Sequence, residues 1–426
     1  MFAILRNRDF GLLWLAGLIS LAGTRAFIIA LPIHVYRLTD STLATAGAFA
    51  ASFLPGILFG SLAGVFVDRW DRKTTMVVSN VVQALLLLPI LAAPDSLTLL
   101  YTIAAVQGTV GLFFSPAESA FLPTLVGKDK LVAANAMNSL NDNLALLIGP
   151  ATGAMLYAQI GFAGAAMFDA ASYAIAAVLI RLIAASGKPE RMPETPTTAP
   201  VRTMLDDWKG GMRVIRNDTS LKVLFAAFSF NGVAEGVFLS LGLAPLVLDV
   251  LGGTAAQVGW LATIQAVGGI VAGIIIVRIG HRFSLRWLIG GGMIGLGLAD
   301  FCFFNSYRLA SPGNASVAVA MVFMALAGLP AVAGASGRQT LVQEQTTDAF
   351  RGRVFGALRS AQGLTMLVGL AIGGVFGDSI GLVPVLSASA IVRMLGGVLA
   401  FALLPSPSAA RQHLATSPQA ASAKPD

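Results

Sequence analysis

The chain has 426 residues, of which 12% are charged and 56% hydrophobic, with a mean hydropathy of +0.78. Soluble domains carry roughly a quarter of their residues as charges, so a soluble fold is excluded. The net charge of +7 is read as loop charge that sets membrane topology, not as a nucleic-acid-binding surface. Cys302 and the three histidines are scattered, so neither a disulfide nor a metal centre or other cofactor is expected.

Apolar stretches long enough to cross a bilayer fall at 10–36, 42–67, 74–93, 97–114, 133–158, 162–183, 221–247, 255–279, 284–305, 315–337, 352–377 and 382–404. They predict an all-α polytopic membrane protein of twelve transmembrane helices. The first stretch follows Met1 to Asp9 with no small-residue cleavage pattern and is read as a retained helix. Between the second and third stretches, residues 68–73 hold five charges in six positions. Spans so long joined by so short a link form a hairpin, and this is its turn. Placing both termini and every second loop on one side gathers 24 of the 28 Lys and Arg residues there. By the positive-inside rule the termini and the charged turn are cytoplasmic, in a multi-pass plasma membrane protein surrounded by lipid.

The polar stretch 184–220 begins with Pro189, Pro193, Pro196 and Pro200, which reads as a flexible linker. Trp208, Met212 and Ile215 then fall at helical spacing, as in a short amphipathic helix lying on the membrane surface. The expected domains are a six-helix bundle over 1–183, the linker over 184–220, a second six-helix bundle over 221–404 and a disordered tail over 405–426. The bundles read as pseudo-symmetric copies. Gly64 and its basic turn are echoed at Gly273, and Gly149-Pro150…Gly153 at Gly369…Gly373. Duplicated six-helix units mark secondary transporters that rock two bundles about a central site.

Ionisable groups inside spans are costly and are candidates for function. Glu235 is central in the seventh span, where it can take and shed a proton or serve as a helix–helix hydrogen bond. Arg25, mid-span in the first, serves proton coupling or a structural ion pair. Asp142 in the fifth belongs to a proton path or to a cytoplasmic gate. Asp169, Asp300 and Arg393 read as structural, with Asp169 reaching the outer interface and Arg393 paired with Asp300 or a carbonyl. Gln107, Asn231, Gln265 and Gln362 are substrate-cavity candidates, although polar residues also join helices.

Asp68 needs a cation or a helix N-terminus. The eleventh span is expected to begin near Gly352, with Arg351 and Arg353 beside it, and its free amides favour a carboxylate. Asp68 is therefore read as a conformational latch across the bundles when the cytoplasmic side is closed, braced by Arg69, Asp71 and Arg72, with Gly64 and Lys73 in the same latch motif. Nothing in the chain reads as an enzyme: there is no nucleophile–base pair and no nucleotide loop.

Several motifs carry a resemblance. Gly64…Asp68-Arg69…Arg72-Lys73, Leu5-Arg6-Asn7-Arg8-Asp9-Phe10, Ser115-Pro116-Ala117…Leu122-Pro123 and Gln343…Arg351-Gly352-Arg353-Val354 resemble the Major Facilitator Superfamily. The Asp68-Arg69-Trp70-Asp71-Arg72-Lys73 variant of the first motif resembles one branch, that of macrolide and enterobactin exporters. Gly149-Pro150…Gly153 is similar to a fifth-helix motif of proton-coupled exporters. In that motif, tight packing would also seal against ion leak. Gln107-Gly108 lacks the arginine that drug exporters place three residues earlier, since Ala104 stands there. The resemblance implies a monomeric exporter of amphiphilic small molecules coupled to protons. The alternatives are an exporter of one solute, such as a siderophore or lipid-like metabolite, and a non-transporting receptor.

Overall fold

The computed structural model describes residues 2–67, 69–188 and 200–404. Asp68, most of the predicted linker coil and the predicted tail lie outside the described residues. The described chain is helical: α1 (Arg8–Thr39), α2 (Thr42–Val67), α3 (Arg72–Leu87), α4 (Leu97–Gly111), α5 (Phe114–Val126), α6 (Leu131–Arg181), α7 (Pro200–Asn217), α8 (Thr219–Val237), α9 (Ala255–Ile279), α10 (Gly292–Phe304), α11 (Asn314–Gln345), α12 (Asp348–Ile380) and α13 (Leu382–Leu403). Large apolar side chains such as Leu85, Ile175, Val178 and Leu395 stand exposed on helix flanks. In water such faces would be a liability, whereas lipid solvates them.

Twelve crossings were expected, and eleven helical segments among the described residues are long and apolar enough to span a bilayer. The difference lies in α6. Its 51 residues would reach about 77 Å as one straight helix, far beyond a hydrocarbon core of about 30 Å. The backbone leaves helical geometry at Gly161, with φ 72° and ψ −178°. Contacts with α1 show the reversal. Trp14 donates to Met137 O, His34 stacks on Phe162, Tyr173 bonds Thr24, and Asp9 accepts from the amides of Ala184 and Ala185. The chain runs up α1 and back down it, turning at Gly161. A side chain at this positive φ would be strained, which is why glycine stands there.

The same turn recurs at Gly381, with φ 105°, before α13. Gly149 and Gly153 press on α1 at Ala22–Ala26, while Gly369 presses on α8 at Val233 and Gly236, and Gly373 on Ser240 just beyond its end. The duplicated pattern thus places equivalent glycines at equivalent crossings. It gives two pseudo-symmetric helical bundles.

The apolar core is distributed unevenly. One cluster at the end away from the termini joins residues of both halves, among them Ile33, Phe162, Leu246, Val258, Phe303 and Leu386. At the terminal end there are two separate clusters. One holds Phe10, Met76, Phe121 and Met137 of the first half, and the other Leu224, Ile289, Leu341 and Val354 of the second.

One expectation is narrowed and one corrected. The amphipathic α7 packs part of its apolar stripe on protein, while Trp208 stays 40% exposed. Ile215 is buried in the second half's core, and Gly211 lies against the Arg353 carbonyl of α12. An apolar stripe specifies that something apolar covers it, not which surface does. Also, α12 begins at Asp348, not near Gly352, and the amides of Phe350 and Arg351 already point to Thr347 O. A hydropathy reading starts at the first apolar run and so misses a polar first turn.

Candidate functional site

Buried charge locates the chemistry, because an unpaired charge in a span is expensive. In the second half, Arg393 on α13 donates to Glu235 of α8 at 2.8 Å and also to Asp300 of α10. The side chains of Arg393 and Asp300 are 3% and 4% exposed, whereas that of Glu235 is 39% exposed. One guanidinium is therefore shared between a sealed carboxylate and an accessible one. Glycines bring the three helices together: Gly297 meets Met394, and Gly396 meets Phe230 and Met293. Asn231 is half-buried one helical turn before Glu235, on the same face.

In the first half, Arg25 is half-buried and makes no ion pair among the described residues. The carboxylate partner weighed for it does not appear. Asp142 is exposed, and its charge acts on Glu118, a carboxylate that the motif reading passed over. Glu118 accepts from Asn138 at 3.2 Å, and its Oε1 and Asn141 Nδ2 lie beside Gly17 of α1. Its place beside the Ser115-Pro116-Ala117 motif was the available signal. Asp169 does not reach the interface. It is fully buried, accepts from Ser172 and packs against Gly23.

The polar candidates separate. Gln107 is buried and adjoins Asp169. Gln265 is half-buried on α9. Gln362 accepts from Arg338, whose guanidinium also lies over the Phe228 ring at 4.5 Å.

In the charged turn, the described contacts of Asp71, Arg72 and Lys73 run to α3 and to the start of the linker. Asp71 caps α3 by accepting from Thr74 N at 2.7 Å. The Arg72 amide donates to Gly187 O, and Lys73 Nζ to Ile183 O at 2.5 Å. These three residues anchor the start of the linker. Arg69 is exposed, Arg353 stacks its guanidinium over Phe350, and Arg351 and Gly352 lie inside the first turns of α12. Gly64 lies in α2, and Asp68 is outside the described residues.

The Gly149-Pro150-Gly153 motif sits where α1, α6 and α9 cross. Gly149 meets Ala22 and Arg25, Gly153 meets Ala26, and the Pro150 carbonyl and Ala154 meet Gly259. A Cβ on Gly153 would stand 2.5 Å from Ala26 Cα. Gly153→Val is therefore expected to cost about 1–3 kcal/mol or more in thermal unfolding of the purified protein. Gly60→Ala, where no atom lies within 4 Å of the new methyl, should be tolerated. Equal unfolding temperatures would contradict the close crossing. Recesses of about 420 Å³, beside His281 and Glu344, and of about 450 Å³ along α7 lie away from the charged cluster.

The family model described as Major Facilitator Superfamily matches residues 13–243 and again 224–425. The chain is 25% identical over 378 residues to macrolide efflux protein A of Streptococcus pyogenes, covering 87% of this chain and 89% of that protein. It is 26% identical over 396 residues to the enterobactin exporter EntS of Shigella flexneri, covering 89% and 87%. Among solved structures, a bacterial homologue of the human lysosomal transporter Spinster superposes with a TM-score of 0.73 at 14% identity, covering 97% of this chain and 99% of that one. A bacterial homologue of the iron transporter ferroportin gives 0.71 at 16%, covering 93% and 98%.

Proposed function

The chain belongs to the Major Facilitator Superfamily, and from that premise we propose that it is a proton-coupled exporter of amphiphilic small molecules. It works by alternating access in the plasma membrane, with both termini cytoplasmic. The observation that carries the proposal is Glu235. It is the accessible member of an otherwise sealed three-charge cluster. Two carboxylates and one guanidinium leave a net charge of −1, and a proton on Glu235 brings it to zero. Loading and unloading that proton changes the charge that the second bundle carries through the membrane, which ties its motion to proton supply. The shared core at one end and the separate cores at the other support a pair of bundles that part at alternate ends. Export is supported by the names of the efflux relatives.

A second reading, a dedicated exporter of one anionic solute, draws on Arg25. A half-buried guanidinium in mid-span with no ion pair among the described residues offers a charge for such a solute. The enterobactin-exporter relative agrees with it. Competition in proteoliposomes separates the two. Several unrelated cationic and neutral dyes should inhibit one another's acid-driven uptake under the first reading. Transport of a single anionic compound, untouched by the dyes, would replace it with the second.

A further inference from the structure

The end away from the termini holds a set of contacts that the charged cluster does not explain. The turn between α1 and α2 belongs to the first half. Asp40 adopts a left-handed conformation there, with φ 47°, and closes the turn by donating its amide to Tyr36 O. The N-terminus of α2 is thereby aimed at the second half. Ser41 caps it in part, since its Oγ accepts from the Ala44 amide. The Thr42 amide is satisfied from across the interface. It donates to both carboxylate oxygens of Asp378, near the end of α12, at 3.3 and 3.2 Å. Thr42 Oγ1 donates to Gly374 O at 2.9 Å, and the Ser41 hydroxyl donates to Asp378 at 3.5 Å. Tyr36 donates its hydroxyl to Asp249, in the wide turn that follows α8.

We propose that Asp378 and Asp249 form an outer clasp, two carboxylates of the second half gripping the α1–α2 turn of the first, which must release for the far end to open. The inference rests on the alternating-access reading. It does not depend on protons or on substrate class. The physical basis is the orphan amides of a helix N-terminus, which need acceptors and favour negative charge. In α2 one acceptor comes from the turn and another from the opposite bundle. Parting the bundles exposes the Thr42 amide and strips Asp378 of its donors. Gly374 and Gly377 make this grip possible, because Cβ atoms there would fall within 3.0 Å of Leu43 and 2.8 Å of Thr42. α2 and α12 run antiparallel, so the clasp sits at the opposite end of the same helix pair from the charged turn at 68–73.

The test uses the full-length protein in nanodiscs with Cys302→Ala, and spin labels at Thr98 and Ser311. Both positions are exposed at the far end, one on each half. Distances are measured by pulsed electron resonance at two pH values. Asp378 is itself exposed, so Asp378→Ala opens no cavity, and the fold should survive. It is expected to raise the long-distance population about two- to fivefold, the size of effect for one charge lost from a helix N-terminus. Tyr36→Phe should act in the same direction and add to it. If the wild type samples both distances and neither variant changes their ratio, the clasp is overturned. If the far-end distance stays short in the wild type and in both variants at both pH values, alternating access itself fails, and the clasp's role with it.

Discussion

Arg393→Leu is expected to destabilise the protein by about 3–5 kcal/mol, the cost of breaking a buried ion pair on one side. The substitution keeps the apolar volume of the side chain but leaves Asp300, 4% exposed, with an uncompensated charge. Glu235 suffers less, because at 39% exposure it still reaches polar surroundings. Adding Asp300→Asn should recover a good part of the loss, since the two sites interact directly and their effects do not add. Thermal unfolding of the single and double variants measures this. An Arg393→Leu protein as stable as wild type would mean that the cluster holds no net interaction.

The second large effect concerns Glu235→Gln. Glutamine keeps an oxygen that accepts from Arg393, so the packing of α8 against α13 should persist. It cannot take up and release a proton. For a neutral substrate, one proton moving through about 100 mV supplies about 2.3 kcal/mol, enough for roughly a 40-fold concentration ratio. The variant should lose that accumulation ratio while still exchanging substrate down its own gradient. Retention of both would move the proton site away from Glu235. Loss of both would assign Glu235 to substrate binding or to the fold.

The spans were legible because length and apolarity suffice to define a membrane helix. Even the hairpin at Gly161 falls in the gap between the predicted stretches 133–158 and 162–183. The glycine repeats were legible too, because duplicated packing leaves duplicated small residues. What stayed hidden was depth and rotation. Arg393 and Glu235 are 158 positions apart, on helices whose relative register no local pattern encodes. Asp169 sits near the end of a predicted span, so it read as interfacial, yet α6 turns it against Gly23 of α1 and shields it from solvent. Gln107 read as a cavity residue because it is polar within a span, yet it is buried beside Asp169. Tyr36, Asp249 and Asp378 lie at span ends, where polar residues are ordinary and draw no attention. Their pairing across the halves exists only once the bundles are assembled.

Proton coupling through an accessible carboxylate is the central claim, and substrate-induced proton movement tests it most directly. Purified protein is reconstituted in liposomes with a trapped pH-sensitive dye and an acidic lumen, and a transported cationic or neutral dye is added outside. Luminal alkalinisation should begin on substrate addition, follow substrate uptake, and be absent in Glu235→Gln. Uptake that proceeds at the same rate with no luminal pH change, and is indifferent to a protonophore, would contradict it.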